Sequence, residues 1–134
     1  MNTFLVPLHR VDEIWPLIAE RIVAAVERFN FDCSAGQLWE MCRARGAFLI
    51  VSENEGQIKG ASIWRFETWL KGPVFRNLIT SGDDMASWLP DMRELAESIA
   101  RQGGAAHYVW DGRPGWKRVF PDAEMTKSSY IMKV

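Results

Sequence analysis

The sequence predicts one α/β domain of the α+β kind, in which helices flank a β-sheet. Three observations carry that expectation. The chain has 134 residues, the size of a single domain, and 48% of them are hydrophobic, enough for a real core. Apolar residues recur at three- and four-residue spacing in some stretches and as short continuous runs in others. Turn residues punctuate the chain between those stretches. The resulting order is strand, two helices, three strands, helix, strand, helix, strand.

Residues 3–8, with Phe4, Leu5 and Val6, read as the first strand. Asp12 is placed to cap the first helix, and Glu13 suits its first turn. Pro16 falls near the start, where a missing N–H costs little. Ile14, Ile18, Ile22, Val26 and Phe29 then mark one buried face that ends near Asn30. Ser34 and Gln37 form a capping box. The helix they open carries Leu38, Met41 and Cys42 on one side and stops at Gly46. Residues 47–52 are an apolar strand, Glu53-Asn54-Glu55-Gly56 a turn, and 57–69 a long returning strand. Lys71-Gly72-Pro73 breaks the chain before the next strand, 74–80.

Pro90 sets the start of the third helix. With Asp83 as the cap, Pro90 would fall in the second turn and remove a hydrogen bond. With Ser87 as the cap it falls in the first turn, where it is tolerated. The regular helix is therefore expected over 88–101, with Leu89, Met92, Leu95, Ala96 and Ile99 buried and Gly103-Gly104 ending it. Residues 83–86 become a loop or a single turn. A strand at 105–111, a turn at 112–115, a short helix at 116–120 stopped by Pro121 and a last strand at 127–134 complete the order.

Composition excludes several function classes. The formal net charge is −1, which gives no general pull toward nucleic acid or acidic membranes. The longest apolar runs fall far below the ~20 residues of a membrane helix. Residues 1–10 have no basic region followed by an apolar stretch, so no signal peptide is expected. Cys33 and Cys42 form no CxxC pair, and two histidines complete no zinc pattern. Two reduced thiols in a cytoplasmic protein without a metal are expected. No Gly-x-Ser-x-Gly turn supports a hydrolase. Seven tryptophans serve either as core and groove lining or as an interface. Trp39 and Trp69 fit poorly on the buried stripes and are the candidates for contact with a protein partner or a second copy.

Residues 48–61 run from an apolar strand through the Gly56 turn and restart toward Gly60. This hairpin, together with the element order over nearly the whole chain, resembles the GNAT acetyltransferase superfamily. The resemblance implies a mixed, mostly antiparallel sheet flanked by helices. Gly112-Arg113-Pro114-Gly115-Trp116-Lys117-Arg118-Val119 is similar to the C-terminal part of GNAT-like proteins of phages and prophages. If the chain is phage-encoded, it is either cytoplasmic or virion-associated.

The departures from that family bear on function. GNAT enzymes hold the pyrophosphate of acetyl-CoA on an Arg/Gln-x-x-Gly-x-Gly/Ala loop after the fourth strand. Here the turn reads Thr80-Ser81-Gly82-Asp83-Asp84-Met85-Ala86. A helix N-terminus binds anions through free N–H groups, and two aspartates are expected to fill those donors and repel a phosphate. Many members use a tyrosine as general acid; the equivalent here is Trp116 or Phe120. A glutamate on the fourth strand often acts through water as the base, and residues 73–80 carry no carboxylate.

Acyl transfer requires a neutral amine, a polarised carbonyl and a leaving thiolate. The resemblance implies a backbone N–H for the carbonyl near Leu78, Ile79 and Thr80. Glu67, His107 and Asp111 are candidate bases, the latter two on one strand face by alternation; the alternative is that they are rim residues with ordinary hydrogen bonds. Arg113, Lys117 and Arg118 form a basic cluster that serves the CoA phosphates from another side, a solvated helix face, or an acidic partner. Trp64, Trp69, Trp110 and Trp116 line a groove or pack in the core. The expected function is a strongly diverged GNAT-fold module of phage or prophage type, acting through protein contacts, with no or weak acetyl-CoA binding. The alternative is a divergent acetyl-CoA-dependent N-acetyltransferase acting on a small-molecule or protein amine.

Overall fold

The structure, a computed structural model, describes residues 1–29, 32–111, 118, 120–126 and 132–133. Among the described residues, five strands form one sheet in chain order: β1 (Asn2–Leu5), β2 (Phe48–Asn54), β3 (Gln57–Trp69), β4 (Gly72–Gly82) and β5 (His107–Trp110). The first four pair antiparallel and β4 pairs with β5 in parallel. Among the described residues, three helices flank the sheet: α1 (Val11–Phe29), α2 (Ala35–Arg43) and α3 (Met85–Gln102). This is the mixed, mostly antiparallel α+β architecture expected. No helix among the described residues is long and apolar enough to cross a membrane.

Two cores lie on opposite faces of the sheet. One joins Ile14, Ile18 and Ile22 of α1 and Leu38 of α2 to Leu49, Val51, Ala61, Ile63 and Ile79. The other joins Trp88, Met92, Ala96 and Ala100 of α3 to Ile50, Trp64 and Phe75. Alternation along the strands explains the division: Leu49 and Val51 face one way and Ile50 the other.

The hairpin between β2 and β3 closes through Glu55 (φ 52°) and Gly56 (φ 79°), the two-residue turn whose twist suits paired strands. Gly60 lies opposite Ser52, next to a register shift. A Cβ there would stand 2.5 Å from the Trp88 indole, so Gly60 is required for close packing of α3.

Several boundaries differ from expectation. β1 ends at Leu5; the Val6 N–H still reaches Leu49, but Pro7 precedes a 3-10 turn at Leu8–Arg10. That turn runs into α1, so Asp12 lies inside the helix rather than capping it. Ser34 and Gln37 do form the capping box. At the end of α2 the left-handed residue is Arg45 (φ 63°), not Gly46, whose N–H bonds back to the Met41 carbonyl. β4 runs on to Gly82.

α3 begins at Met85 instead of Trp88 and keeps Pro90 inside it, in the second turn. Trp88 decides this: its side chain is 0% exposed and its Nε1–H donates to the Asp83 carbonyl at 2.7 Å. Burial of that indole outweighs the hydrogen bond lost at proline. The buried stripe is Trp88, Met92, Ala96 and Ala100, with Leu89, Leu95 and Ile99 partly buried beside it. β5 is shorter than the expected strand. The turn at 112–115, most of the helix at 116–120 and most of the strand at 127–134 lie outside the described residues, as does the side chain of Phe29.

Candidate functional site

Among the described residues, β4 and β5 pair from Val74↔His107 to Asn77↔Trp110. β4 then continues beside β3, from Ile79 opposite Ile63 to Gly82 opposite Gly60. Leu78 is the extra residue of a bulge at that point, since Trp64 faces Asn77 and Ile63 faces Ile79. The buried Asn77 side chain secures the bulge. Its amide donates to the Ile79 carbonyl at 3.1 Å, and its carbonyl accepts from the Thr80 hydroxyl at 3.1 Å. The parallel pair thus separates into an opening at Leu78, Ile79 and Thr80.

On the α3 side this opening forms a cleft with two parts. The inner part holds about 30 Å³ between Trp64, Asn77, Thr80, Met92, Tyr108 and Trp110. The outer part holds about 380 Å³ along α3, beside Leu89, Pro90, Arg93, Glu94 and Glu97. Phe120 borders both. Its ring packs on Trp110 with centroids 4.6 Å apart, under the Arg93 guanidinium at 5.0 Å. Arg93 donates to the Tyr108 hydroxyl at 2.7 Å, and that hydroxyl donates to Glu97 at 3.0 Å. Burial, and then the Glu97 carboxylate, raise the Tyr108 pKa against the opposing effect of Arg93.

The opposite face carries an alternating charge ladder. Arg76 of β4 donates to Glu67 at 3.1 Å and to Asp111 at 2.6 Å, while Arg65 donates to the same Glu67 oxygen at 2.8 Å. The Trp69 indole donates to the other Glu67 oxygen at 3.0 Å. Partial burial by itself raises the Glu67 pKa; the bonds from Trp69, Arg65 and Arg76, with the charge of Arg76, outweigh it and bring the group down to about 2. Such a carboxylate has little tendency to take a proton near neutrality.

Of the three candidate bases, Glu67 and Asp111 are therefore brought together through Arg76. His107 begins β5 on the same face, with an exposed side chain. Arg118 is exposed; Arg113 and Lys117 lie outside the described residues. Trp64 is buried against Phe75 and Tyr108, and Trp110 lines the cleft. Trp39 is half-buried against Trp15, donates to Asp12 and lies under Arg43. Trp116 lies outside the described residues. The burial of the Cys42 thiol pushes its pKa up to about 12. Burial, followed by the charge of Asp32, raises that of Cys33.

The turn before α3 corrects one expectation. Neither aspartate fills the helix N-terminus. Asp84, in the left-handed region, makes no side-chain cap. The Asp83 carboxylate turns away to Arg21 of α1 at 3.1 Å, and the same arginine donates to the Lys59 carbonyl at 2.7 Å. The Asp83 N–H is itself bonded to that carbonyl at 2.9 Å. Ser87 closes the first turn, its hydroxyl and N–H both donating to the Asp84 carbonyl.

Among the described residues, the cleft offers little room for acetyl-CoA, the cofactor implied by the resemblance. The inner cleft offers about the volume one water molecule occupies in the liquid. Among the described residues, Glu94 and Glu97 face the outer part against one arginine, Arg93, a poor balance for a ligand bearing phosphates. The turn before α3 has one glycine, Gly82, and the space beside it is taken by Trp88.

Sequence reading missed Arg76, Asn77, Arg93 and the position of Phe120. The β3 pattern Arg65-x-Glu67 opposite a lone Arg76 was the available signal for the ladder.

No family model matches this sequence, and no curated protein does. Solved structures do match over nearly the full length. A ribosomal-protein-alanine N-acetyltransferase from Brucella melitensis biovar Abortus 2308 superposes with TM-score 0.68 at 16% identity, covering 100% of both chains. An aminoglycoside acetyltransferase from an uncultured soil metagenomic sample, in complex with trehalose, gives 0.71 at 11% identity over 99% of this chain and 95% of that one. A predicted acetyltransferase with acetyl-CoA from Clostridium acetobutylicum gives 0.67 at 8% identity over 99% and 94%. The fold is that of the GNAT acetyltransferases; at these identities the likeness extends to the fold alone.

Proposed function

We propose that this chain is a GNAT-fold protein that acts through protein contacts and takes acyl-CoA weakly or not at all. One observation carries the reading: Trp110, Tyr108 and Phe120 fill the opening between β4 and β5, leaving about 30 Å³. Small-molecule sites usually offer about ten times that volume or more. Phe120, which offers no phenol, stands beside that opening, where an acid would be needed. The phage-type resemblance of residues 112–119 belongs to the same proposal and makes the partner a component of a larger assembly. Trp39, Trp69 and the fully exposed Leu70 at the β3–β4 turn offer contact surface.

A titration with acetyl-CoA, followed by calorimetry and by thermal melting, tests the reading. A ligand at a hundred times its dissociation constant stabilises the native state by ~2.7 kcal/mol, which a melt detects readily. No shift at sub-millimolar acetyl-CoA is the expected result. A clear shift favours the second reading, a divergent N-acyltransferase on an amine. That reading draws support from the first turn of α3, which Asp84 does not cap with its side chain and from which the Asp83 carboxylate turns to Arg21. Under it, neutralising Arg113, Lys117 and Arg118 together abolishes the shift if that cluster holds the phosphates.

A further inference from the structure

We infer that β1 pairs along its free edge with β1 of a second copy of this chain, antiparallel about a twofold axis at Phe4, so that the two sheets join into one. The inference rests on the protein-contact reading above and names a surface and a partner for it.

Among the described residues, β1 is an end strand of the sheet. The Val6 N–H donates to the Leu49 carbonyl at 2.8 Å, and Phe4 and Asn2 lie opposite Val51 and Glu53. Bonded and unbonded pairs alternate along an antiparallel ladder. Asn2, Phe4 and Val6 therefore turn their backbone groups toward β2, while Thr3 and Leu5 turn theirs outward. Among the described residues, nothing takes the outward N–H and carbonyl groups of Thr3 and Leu5. End strands usually carry a charge, a proline or a bulge that blocks pairing with another chain. β1 carries none of these: Asn2-Thr3-Phe4-Leu5 is uncharged, its register with β2 runs without a shift, and Pro7 comes after it.

The chemistry of the edge selects its occupant. A partner strand must be open, short and uncharged, and β1 of a second copy meets all three conditions. Leu5 is 37% exposed and Phe4 is only partly buried, so both have surface left to cover. The cation over Phe4, Arg10 at 5.9 Å, is already paired with Glu13 at 3.2 Å and brings no unbalanced charge to the axis. With the axis at Phe4, Thr3 of each copy falls opposite Leu5 of the other. That register satisfies both free N–H groups and both free carbonyls of each copy and sets the two Phe4 rings side by side. A shift of two residues toward Pro7 would set Thr3 opposite a residue with no N–H. The contact has fewer than the about ten hydrogen bonds of a typical interface, so it is weak, with a dissociation constant of about 0.1 mM.

The test follows the Thr3 and Leu5 amides of the full chain by NMR hydrogen exchange at about 50 µM and about 1 mM, with sedimentation of the same samples. Three variants accompany it. Leu5→Pro removes one outward N–H and leaves the bonds to β2 in place. Leu5→Lys puts a charge on the edge. Leu5→Val changes neither. In the native chain and in Leu5→Val, exchange is expected to slow by about threefold at the higher concentration, as the mass rises toward that of a dimer. Leu5→Pro and Leu5→Lys are expected to stay monomeric, with exchange at Thr3 independent of concentration. Far-UV circular dichroism checks their fold, and should Leu5→Pro lose it, Leu5→Lys carries the test. Folded Pro and Lys variants that dimerise like the native chain overturn the edge pairing and leave the protein-contact reading to other surfaces. Native Thr3 and Leu5 amides that exchange equally fast at both concentrations overturn it as well, whatever the mass. The acetyl-CoA titration above decides the protein-contact reading separately.

Discussion

Trp88 lies so close to Gly60 that a Cβ on that glycine would stand 2.5 Å from the indole carbons. The same indole bars a side chain at Gly82, one strand over. α3 therefore rests on two glycines that face each other across β3 and β4. Gly60→Ala is expected to destabilise by about 1–3 kcal/mol, the usual cost of overpacking. Trp88→Ala should lose about 3–5 kcal/mol through the cavity it leaves. Chemical denaturation of both variants checks this. If Gly60→Ala melts like the native chain, the close packing is not what positions α3.

The Glu67 carboxylate predicts a pH signature. Its folded pKa is about 2, against a usual value of 4.5. A depressed carboxylate pKa gives stability that is fully present above the unfolded value and is lost as pH falls through the folded one. Its side chain is 20% exposed, so solvent reduces the effect to about 1 kcal/mol. The native chain should be more stable than Glu67→Gln at pH 7, with the gap constant down to about 4.5 and gone near 2. Melting curves of both proteins across that range decide it. A gap that persists unchanged at pH 2 would show that the ladder does not act through the charge of Glu67.

Arg45 ends α2 in the left-handed region at φ 63°, a conformation that costs a residue with a Cβ roughly 1–2 kcal/mol. Its side chain is exposed. Arg45→Gly should raise stability by up to about 1 kcal/mol, since glycine adopts that conformation freely but loses more chain entropy on folding. A rise in the denaturation midpoint with an unchanged slope is the expected observation; a fall assigns Arg45 a contact worth more than its strain.

The protein-contact reading predicts association that depends on Trp39 or Trp69. Light scattering over a concentration series should show growth in mass for the native chain and less for Trp39→Ala or Trp69→Ala. Aromatic anchors at an interface commonly carry about 2 kcal/mol or more each. Trp39→Ala also gives up its packing on Trp15 and its bond to Asp12, so its melting temperature should fall as well. A strict monomer at high concentration, with both variants unchanged in the partners they pull down, removes this assignment.

Most of the fold was legible because its signals are local. The capping box at Ser34 and Gln37, the turn at Gly56 and the end of α3 at Gly103-Gly104 each involve residues within a few positions of one another. The start of α3 was misplaced because Pro90 is a local signal and Trp88 is not. The indole's burial depends on two glycines distant in sequence, and no periodicity along the helix reports them. The site was less legible for the same reason. Asp83 and Asp84 suggest a blocked anion site by composition, but where Asp83 points is set by Arg21, far away on α1. Arg76 joins Glu67 to Asp111 only once the register of three strands is known.

The pairing of β1 has a kinetic consequence. Asn2 lies opposite Glu53, so α1 and α2 must both be spanned before the first strand has a neighbour. The β2–β3 and β3–β4 hairpins, by contrast, close through turns of two residues. Local contacts form quickly, and long loops close later because their entropy must be lost first. β1 is therefore among the last strands to be paired, and the outer edge of β2 stays open in the meantime. Pulse-labelled hydrogen exchange during refolding should find the bonds from β2 to β3 protected before the bond from Val6 to Leu49.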